Sequence, residues 1–291
     1  MKIIGIVTDS HSSISPAEAA MLGIHVLPMP FEIDGRDYFE GVNITRQQFF
    51  GYQRAGARIG TSQPAPAAVM ELWDKLLEAY ESLLYMPISS GLSNSCQTAI
   101  ALAKEAPYAG RVFVVDNGRV GTPLHRSVLD AIELVKAGLS AAECKAALEA
   151  ARNDLVIDSA VDTLEYLKRG GRISSATAAV GTLLNIKPIL HLTTGKLESF
   201  KKARGMNKAC DIMLESIRED LSTRFQATHA RGDVFLLAAG SADTPTTARW
   251  LKQIEAAFPG MPVLYDDLSM GVSCHTGEGA LGIGLSVRPR V

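Results

Sequence analysis

The chain has 291 residues, which is long for one domain and comfortable for two. Hydrophobic residues make up 47% and charged residues 21%, the composition of an ordinary globular protein with a large core. Its 29 lysines and arginines nearly balance 31 aspartates and glutamates, and the formal net charge of -2 argues against nucleic acid as a partner.

The targeting signals and cysteines also narrow the class of protein. The first residues reach charge too early for a secretory signal peptide, and no run approaches the roughly 18 apolar residues of a membrane span. The sequence therefore predicts a cytoplasmic protein in which the scattered cysteines are reduced and structural, without a cysteine zinc site. These cysteines are Cys96, Cys144, Cys210 and Cys274.

In the first half of the chain, short runs that are apolar on both faces alternate with helical patterns. Such runs are typical of a buried parallel sheet. The predicted strands are Ile3–Val7, His25–Pro30, Leu83–Ile88 and Arg111–Asp116. The predicted helices are Pro64 to Tyr80, Ser93 to Lys104, Thr122 to Lys136, and one that starts at a Ser140/Glu143 capping box and ends near Arg152.

After about residue 155 the pattern changes. Ile186–Leu192 and Leu197–Phe200 flank a turn at Gly195, which predicts a β-hairpin. The following elements are predicted as helix Asn207 to Leu221, strand Val234–Ala239, helix Thr244–Phe258, strand Pro262–Tyr265 and strand Ile283–Val287. We therefore predict an α/β protein of two domains: residues 1–155 with a wound, mainly parallel sheet, and residues 156–291 with a mixed or antiparallel sheet and helices.

Small hydroxyl residues occupy three predicted strand-to-helix junctions: Thr8-Asp9-Ser10, Gly60-Thr61-Ser62-Gln63-Pro64, and the serine-rich run from Ser89 to Ser95. In wound sheets the crevice beyond the carboxyl ends of the strands binds ligands, and helix N-termini there receive phosphates or carboxylates. Serine and threonine are also good N-caps, so a purely structural role stays open for each junction. Two junctions that converge, at Thr61 and Ser93, would form a ligand pocket.

Among the six histidines, His275 is the most suggestive. It is predicted to lie in a flexible glycine loop, Cys274-His275-Thr276-Gly277-Glu278-Gly279-Ala280, where the glycines allow close approach of the backbone to a ligand. A structural role for this histidine is the alternative. The other histidines lack the spacing of metal ligands, and Asp9 and Asp116, which end strands, have no clustered partners, so no metal or cofactor is predicted.

Familiar catalytic motifs are missing. The sequence has no nucleophile elbow G-x-S-x-G, no Walker loop, and no G-x-G-x-x-G after a first strand. Catalysis by the isolated chain is therefore poorly supported. A free-standing serine hydrolase or phosphotransferase that uses Ser93 and His275 is the alternative function. A third is a sensor of apolar ligands, or a structural protein, that acts without a partner enzyme.

The chain resembles the DegV family in a series of motifs that runs along nearly its whole length. In the first half these are Ile6-Val7-Thr8-Asp9-Ser10, Tyr38-Phe39-Glu40-Gly41 with Ile44, Thr61-Ser62-Gln63-Pro64, and Ile88-Ser89-Ser90-Gly91-Leu92-Ser93. In the second half they are Asp162-Thr163-Leu164-Glu165-Tyr166-Leu167, Arg169-Gly170-Gly171-Arg172-Ile173-Ser174, Ile186-Lys187-Pro188-Ile189-Leu190, Lys202 with Arg204, and His275-Thr276-Gly277-Glu278-Gly279.

The resemblance implies two α/β domains with a long-chain fatty acid in an apolar tunnel between them. It implies a non-catalytic subunit of bacterial fatty acid kinase, which presents the carboxyl group to a separate ATP-dependent kinase and then carries the acyl phosphate. It also allows a transient contact with a membrane surface. By motif position, Thr61, Ser93 and His275 would hold the carboxyl group, with Ser62 and Asn94 in the same ligand site.

The resemblance further places Arg169 and Arg172 in a loop near the ligand entrance or the partner surface. The glycine pair between them predicts a mobile loop whose guanidinium groups can approach a phosphate or an acidic partner. A solvated turn without a specific role is the alternative.

Three positions depart from the family pattern. Asn94 replaces a glycine and would tighten the start of the helix or alter the head-group contact. Glu278 replaces a proline, and a carboxylate that faced the ligand would repel an anionic head group, so we expect it to face solvent. Asn117 replaces a serine after the fourth strand, a change of little consequence.

Overall fold

The computed structural model describes residues 3–173, 185–193 and 196–290. The turn predicted at Gly195 and the last residue of the arginine motif, Ser174, lie outside these residues. The chain divides into two compact units. The first comprises Met1–Arg152, Ser269–Gly271 and Pro289–Val291, and the second comprises Asn153–Leu268 and Val272–Arg288.

Thirteen strands and eleven α-helices occur in the described residues. The strands are β1 (Ile4–Asp9), β2 (His25–Leu27), β3 (Pro30–Ile33), β4 (Arg36–Phe39), β5 (Ile59–Thr61), β6 (Ser82–Met86), β7 (Val112–Val114), β8 (Leu155–Ala160), β9 (Ile186–Thr193), β10 (Lys196–Arg204), β11 (Val234–Gly240), β12 (Val263–Asp267) and β13 (Leu281–Val287). The helices are α1 (Pro16–Leu22), α2 (Arg46–Arg54), α3 (Pro66–Leu77), α4 (Ser95–Leu102), α5 (Thr122–Lys136), α6 (Ala141–Ala150), α7 (Glu165–Arg169), α8 (Met206–Ser222), α9 (Gln226–Ala230), α10 (Thr244–Ala257) and α11 (Met270–Thr276).

The four strands predicted in the first half form one parallel sheet, in the order β2-β1-β6-β7. Alternate residues of β6 face opposite cores: Leu84 packs with α5 and α6, whereas Leu83 packs with α3 and α4. Helices on both faces are why these strands are apolar throughout. The predicted capping box of α6 is confirmed, since Ser140 and Glu143 each accept from the other's backbone N–H, at 3.3 and 2.8 Å.

A small antiparallel sheet, in the order β4-β3-β5, was not predicted. It divides the predicted strand His25–Pro30, because Pro30 already begins β3. Its core is aromatic: the ring centroids of Phe31 and Phe49 lie 5.5 Å apart in an edge-to-face arrangement. This sheet carries Thr61 at the end of β5.

In the second unit, six strands form a mixed sheet in the order β10-β9-β8-β13-β11-β12. The predicted hairpin is confirmed as the antiparallel pair of β9 and β10, and the pair of β11 and β12 is parallel. α8 and α10 contribute Met213, Ile217 and Trp250 to the core beneath the sheet. The predicted α/β class, with a parallel sheet followed by a mixed one, is therefore confirmed.

Candidate functional site

The junction after β1 is built from backbone-directed hydrogen bonds. Asp9 is fully buried, and its two carboxylate oxygens accept from the N–H groups of His11, at 2.9 Å, and Ile88, at 2.8 Å. The Thr8 hydroxyl donates to the Met86 carbonyl at 2.8 Å. Both residues therefore join the ends of β1 and β6, which is the structural role that the sequence left open.

The serine-rich junction after β6 is held by Asp116, which lies two residues after the neighbouring strand β7. The Asp116 carboxylate accepts from the Ser90 hydroxyl at 2.5 Å and from its N–H at 3.3 Å, and it lies 3.0 Å from Nη1 of Arg152. Burial alone would raise the pKa of Asp116, but the hydrogen bonds from Ser90 and Arg152 outweigh it and hold the pKa below its usual range. The chemistry of Asp116 is thus to anchor this loop.

Within the same loop, Ser93 is half-buried just before α4. Its N–H donates to the Ser89 carbonyl at 3.0 Å, and its hydroxyl oxygen accepts from the Ser95 N–H at 3.2 Å and lies 3.0 Å from the Ser95 hydroxyl. The hydroxyl therefore takes part in the start of the helix. Asn94 is exposed and has right-handed helical angles (φ -70, ψ -11), so the backbone at this position does not need glycine.

The predicted junction at Thr61 differs in structure from the other two junctions. Thr61 ends an antiparallel strand, pairs with Phe31, and is half-buried, whereas Ser62 is exposed. The helix that follows begins at Pro66, two residues later than the predicted Pro64. A side-chain hydrogen bond connects this junction to α4, the helix that follows the serine-rich loop, because the Thr98 hydroxyl donates to Oε1 of Gln63 at 3.0 Å.

His275 lies in the last turn of α11, a helix that was not predicted, and not in a flexible glycine loop as expected. Gly277, which adopts φ +77, directly follows the end of the helix. The buried Ser241 holds the following turn: its hydroxyl donates to the Gly277 carbonyl at 2.7 Å and accepts from the Ala280 N–H at 3.0 Å. Glu278 is half-buried. The half-buried imidazole is thus presented from a fixed backbone.

The glycine pair closes a helix in place of the predicted mobile loop. The Arg172 N–H donates to the Leu167 carbonyl at 3.0 Å and the Gly171 N–H to the Lys168 carbonyl at 3.1 Å, with Gly171 at φ +69. This pair of bonds and a left-handed residue form a Schellman motif, which glycine favours. The pattern of two cations around two glycines therefore ends α7.

Both arginines of this segment have local partners. Arg169 is paired with Glu165 one turn earlier, with most of its side chain exposed. Nη1 of Arg172 donates to the Gly170 carbonyl at 2.5 Å. Exposed pairs within a helix contribute only about 0.3–0.5 kcal/mol, so Arg169 can exchange Glu165 for another anion at little cost.

The predicted residues are divided between the two units. Thr61, Ser62, Ser93 and Asn94 belong to the first unit, and His275, Arg169 and Arg172 belong to the second. In the second unit a methyl group built at Gly170 would lie 2.1 Å from Nδ1 of His275, so the arginine segment touches the imidazole. Sequence reasoning named Asp116 and Gly170 without assigning them these supporting roles, and it missed Ser241; the adjacent glycines were the visible signal.

The four cysteines are buried and free of disulfides. Burial raises the thiol pKa of Cys96 and Cys210 to about 12 and that of Cys144 to about 11. Thiols in this state are poor nucleophiles and poor metal ligands. In the part of the chain that the structure describes, every helix is too short or too polar to cross a bilayer.

Comparison with known proteins agrees with the family motifs that were identified in the sequence. The family model described as "Uncharacterised protein, DegV family" matches residues 3–288. A DegV domain-containing protein of Deinococcus radiodurans is 34% identical over 285 residues, which cover 97% of this chain and 98% of that protein.

Solved structures give the same result. A Thermus thermophilus DegV family protein described by its fatty acid binding is 34% identical, with a TM-score of 0.86 over 99% of this chain and all of that one. Bacillus subtilis DegV, described as a fatty acid binding protein, is 26% identical, with a TM-score of 0.84 over 99% of this chain and all of that one. The chain belongs to the DegV family.

Proposed function

We propose that this protein binds a long-chain fatty acid and presents its carboxyl group to a separate ATP-dependent kinase. The observation that carries the proposal is the likeness to the Thermus thermophilus protein, which extends over 99% of this chain at 34% identity and whose description names fatty acid binding. In the reaction, a carboxylate oxygen attacks the γ-phosphoryl group of ATP, ADP leaves, and the protein then carries the acyl phosphate.

The energy for binding would come from the acyl chain. Burying about 14 methylenes at about 0.8 kcal/mol each amounts to about 11 kcal/mol before the entropy of association is subtracted. A chain with a formal net charge of only -2 can therefore bind an anionic lipid tightly without a field of positive charge. Polar groups are needed only to orient the head.

For the head group we propose Thr61, Ser93 and His275, with Ser62 and Asn94 beside them. Residues 1–155 would supply the hydroxyl junctions, and residues 156–291 would supply the imidazole and close the acyl tunnel. The local structure supports this choice, because Ser93 is half-buried before a helix N-terminus and His275 is half-buried on a fixed turn. A hydroxyl, a helix start and an imidazole are all suited to a carboxylate.

The function is tested by what the purified protein carries. Denaturation, solvent extraction and mass spectrometry should release a long-chain fatty acid in near-equimolar amount. A nucleotide or a sugar in its place would contradict the proposal. The same preparation should not turn over acyl or phosphoryl model esters, and turnover that is lost in Ser93→Ala would favour the hydrolase or phosphotransferase alternative.

The head-group residues are tested by Thr61→Ala, Ser93→Ala and His275→Ala. A hydrogen bond to a charged group contributes about 1.5–3 kcal/mol, so each change should weaken fatty acid binding about tenfold to a hundredfold. Fluorescence displacement titrations measure the affinity, and circular dichroism confirms the fold. Unchanged affinity in all three variants would mean that the carboxylate lies elsewhere.

Transfer to the carrier is tested with the purified kinase and ATP. Hydroxylamine traps acyl phosphate as a hydroxamate, which should form only when fatty acid, this protein, kinase and ATP are all present. Hydroxamate formation at the same rate without this protein would contradict the role as presenting subunit. The lipid extraction would still stand in that case, as it would for a sensor of apolar ligands.

A further inference from the structure

In the second unit, the arginine motif meets the segment that contains His275 at Gly170. A methyl group at this position would lie 2.1 Å from Nδ1 and 2.4 Å from Cε1 of His275. Carbon atoms do not approach a ring nitrogen this closely, so the imidazole occupies the space that any side chain at position 170 would fill. The absence of a side chain is therefore what admits the ring.

The backbone at Gly170 does not require glycine. Its angles, φ -76 and ψ -6, lie in the right-handed region that every residue adopts. The neighbouring Gly171 is the opposite case, with φ +69 and nothing within 4 Å of a built methyl group. The two adjacent glycines thus have different structural roles: Gly171 permits the left-handed backbone at the helix end, and Gly170 leaves room for His275.

The backbone around His275 has little freedom to move away. Methyl groups at Gly277 and Gly279 would lie 2.7 Å from the Tyr166 ring and 3.2 Å from Oδ2 of Asp162, and Ser241 holds the same turn by two hydrogen bonds. A side chain at position 170 would therefore be accommodated by rotation of the imidazole and not by a shift of the chain.

We propose that Gly170 is a positioning residue for His275, which keeps the imidazole in the orientation that contacts the carboxyl group of the ligand. This inference rests on the proposed function for its effect on binding. The expected consequence is a change in specificity. A side chain at position 170 lowers the preference for a carboxylate over an uncharged head group, and it leaves the affinity for the acyl chain unchanged.

The experiment compares palmitate with hexadecanol, which share a chain of the same length and differ in the charge of the head group. The proteins are wild type, Gly170→Ala, His275→Ala and the double variant, with Gly51→Ala as the matched control, because a methyl group at Gly51 meets nothing within 4 Å. Wild type and the control should prefer palmitate. Gly170→Ala and His275→Ala should each reduce that preference about tenfold or more, since a bond to a charged group is lost.

The double variant separates positioning from a general structural effect. If Gly170 acts through His275, adding Gly170→Ala to His275→Ala causes no further loss, because the ring that the methyl group displaces is gone. Losses that multiply, or an unchanged preference in Gly170→Ala, would overturn the inference. If Gly170→Ala fails to fold, the double variant should restore folding, and failure of both would overturn it as well.

A second measurement does not depend on lipid. Histidine ring ¹⁵N resonances of the free protein are recorded by NMR, and those of His275 are identified by their loss in His275→Ala. Gly170→Ala should shift these signals and Gly51→Ala should not; unshifted signals would refute the positioning role. If wild type shows no affinity for palmitate, the proposed function fails, and this spectrum still decides whether Gly170 orients His275.

Discussion

The Asp116 anchor makes a quantitative prediction for Asp116→Asn. The carboxylate accepts two hydrogen bonds from Ser90 and an ion pair from Arg152, with 15% of its side chain exposed. The amide keeps one acceptor oxygen but loses the charge. Hydrogen bonds to a charged group contribute about 1.5–3 kcal/mol and a partly exposed ion pair about 0.2–1 kcal/mol, so we expect a loss of about 2 kcal/mol in the free energy of unfolding.

The pH dependence tests the cause. Because hydrogen bonding holds the folded pKa of Asp116 below its usual range, its contribution is fully present above the unfolded value of about 3.9 and is lost as the pH falls through the folded pKa. The difference between wild type and Asp116→Asn should therefore be largest near neutral pH and should narrow below about pH 4. Asp37→Asn, at an exposed carboxylate, is the matched control and should change little at any pH.

Urea unfolding across a pH series measures this difference directly. In a thermal scan, about 2 kcal/mol corresponds to a decrease in Tm of roughly 4–8 °C for a unit of this size. The reasoning would be refuted by a difference that stays constant down to pH 3, since the charge on Asp116 would then be irrelevant. Because Ser89 and Ser90 lead directly to Ser93, the variant should also bind fatty acid more weakly.

Two further predictions concern the second unit. Reversing both charges in Arg169→Glu/Arg172→Glu should slow phosphoryl transfer from a kinase far more than it weakens lipid binding. The defect should shrink as the salt concentration rises, because charges at the rim of an interface mainly govern the association rate. Equal loss in both assays would place these arginines at the lipid, and no loss in either would leave them as a solvated turn. Ser241→Ala removes a buried hydroxyl that makes two hydrogen bonds to the backbone, and it should lower the free energy of unfolding by about 1–3 kcal/mol. The control Ser199→Ala, at an exposed serine, should not lower it. Equal free energies of the two variants in urea unfolding would contradict the role of Ser241.

The elements that were predicted from the sequence are those with a clear local sequence signal. The four strands of the parallel sheet are apolar on both faces, and α6 begins at a capping box. β8 was missed because Asp158 interrupts its apolar run. The carboxylate is fully buried and lies 2.6 Å from Nδ1 of His191 on the paired strand β9, a partner that no local pattern reveals.

The remaining misses have local causes. β3, β4 and β5 are three or four residues long, and β3 and β4 carry charged residues such as Glu32 and Asp37, so any alternation is too short to recognise. α11 contains Gly271, a residue that disfavours helices, and the glycines after it suggested a loop. The helix nevertheless forms, and it changes the interpretation of His275 from a flexible to a fixed group.

The three predicted head-group residues, Thr61, Ser93 and His275, share one kind of construction: each depends on a residue that is distant in the sequence. Asp116 anchors the loop of Ser93, Phe31 pairs with Thr61, and Gly170 leaves room for His275. A group fixed in this way loses little rotamer freedom when a ligand binds, so more of each hydrogen bond appears as affinity. Effects on binding should therefore extend to positions with no predicted contact to the ligand, and the two glycines of the arginine motif separate the cases: a side chain at Gly171 perturbs the helix end, whereas a side chain at Gly170 perturbs the imidazole.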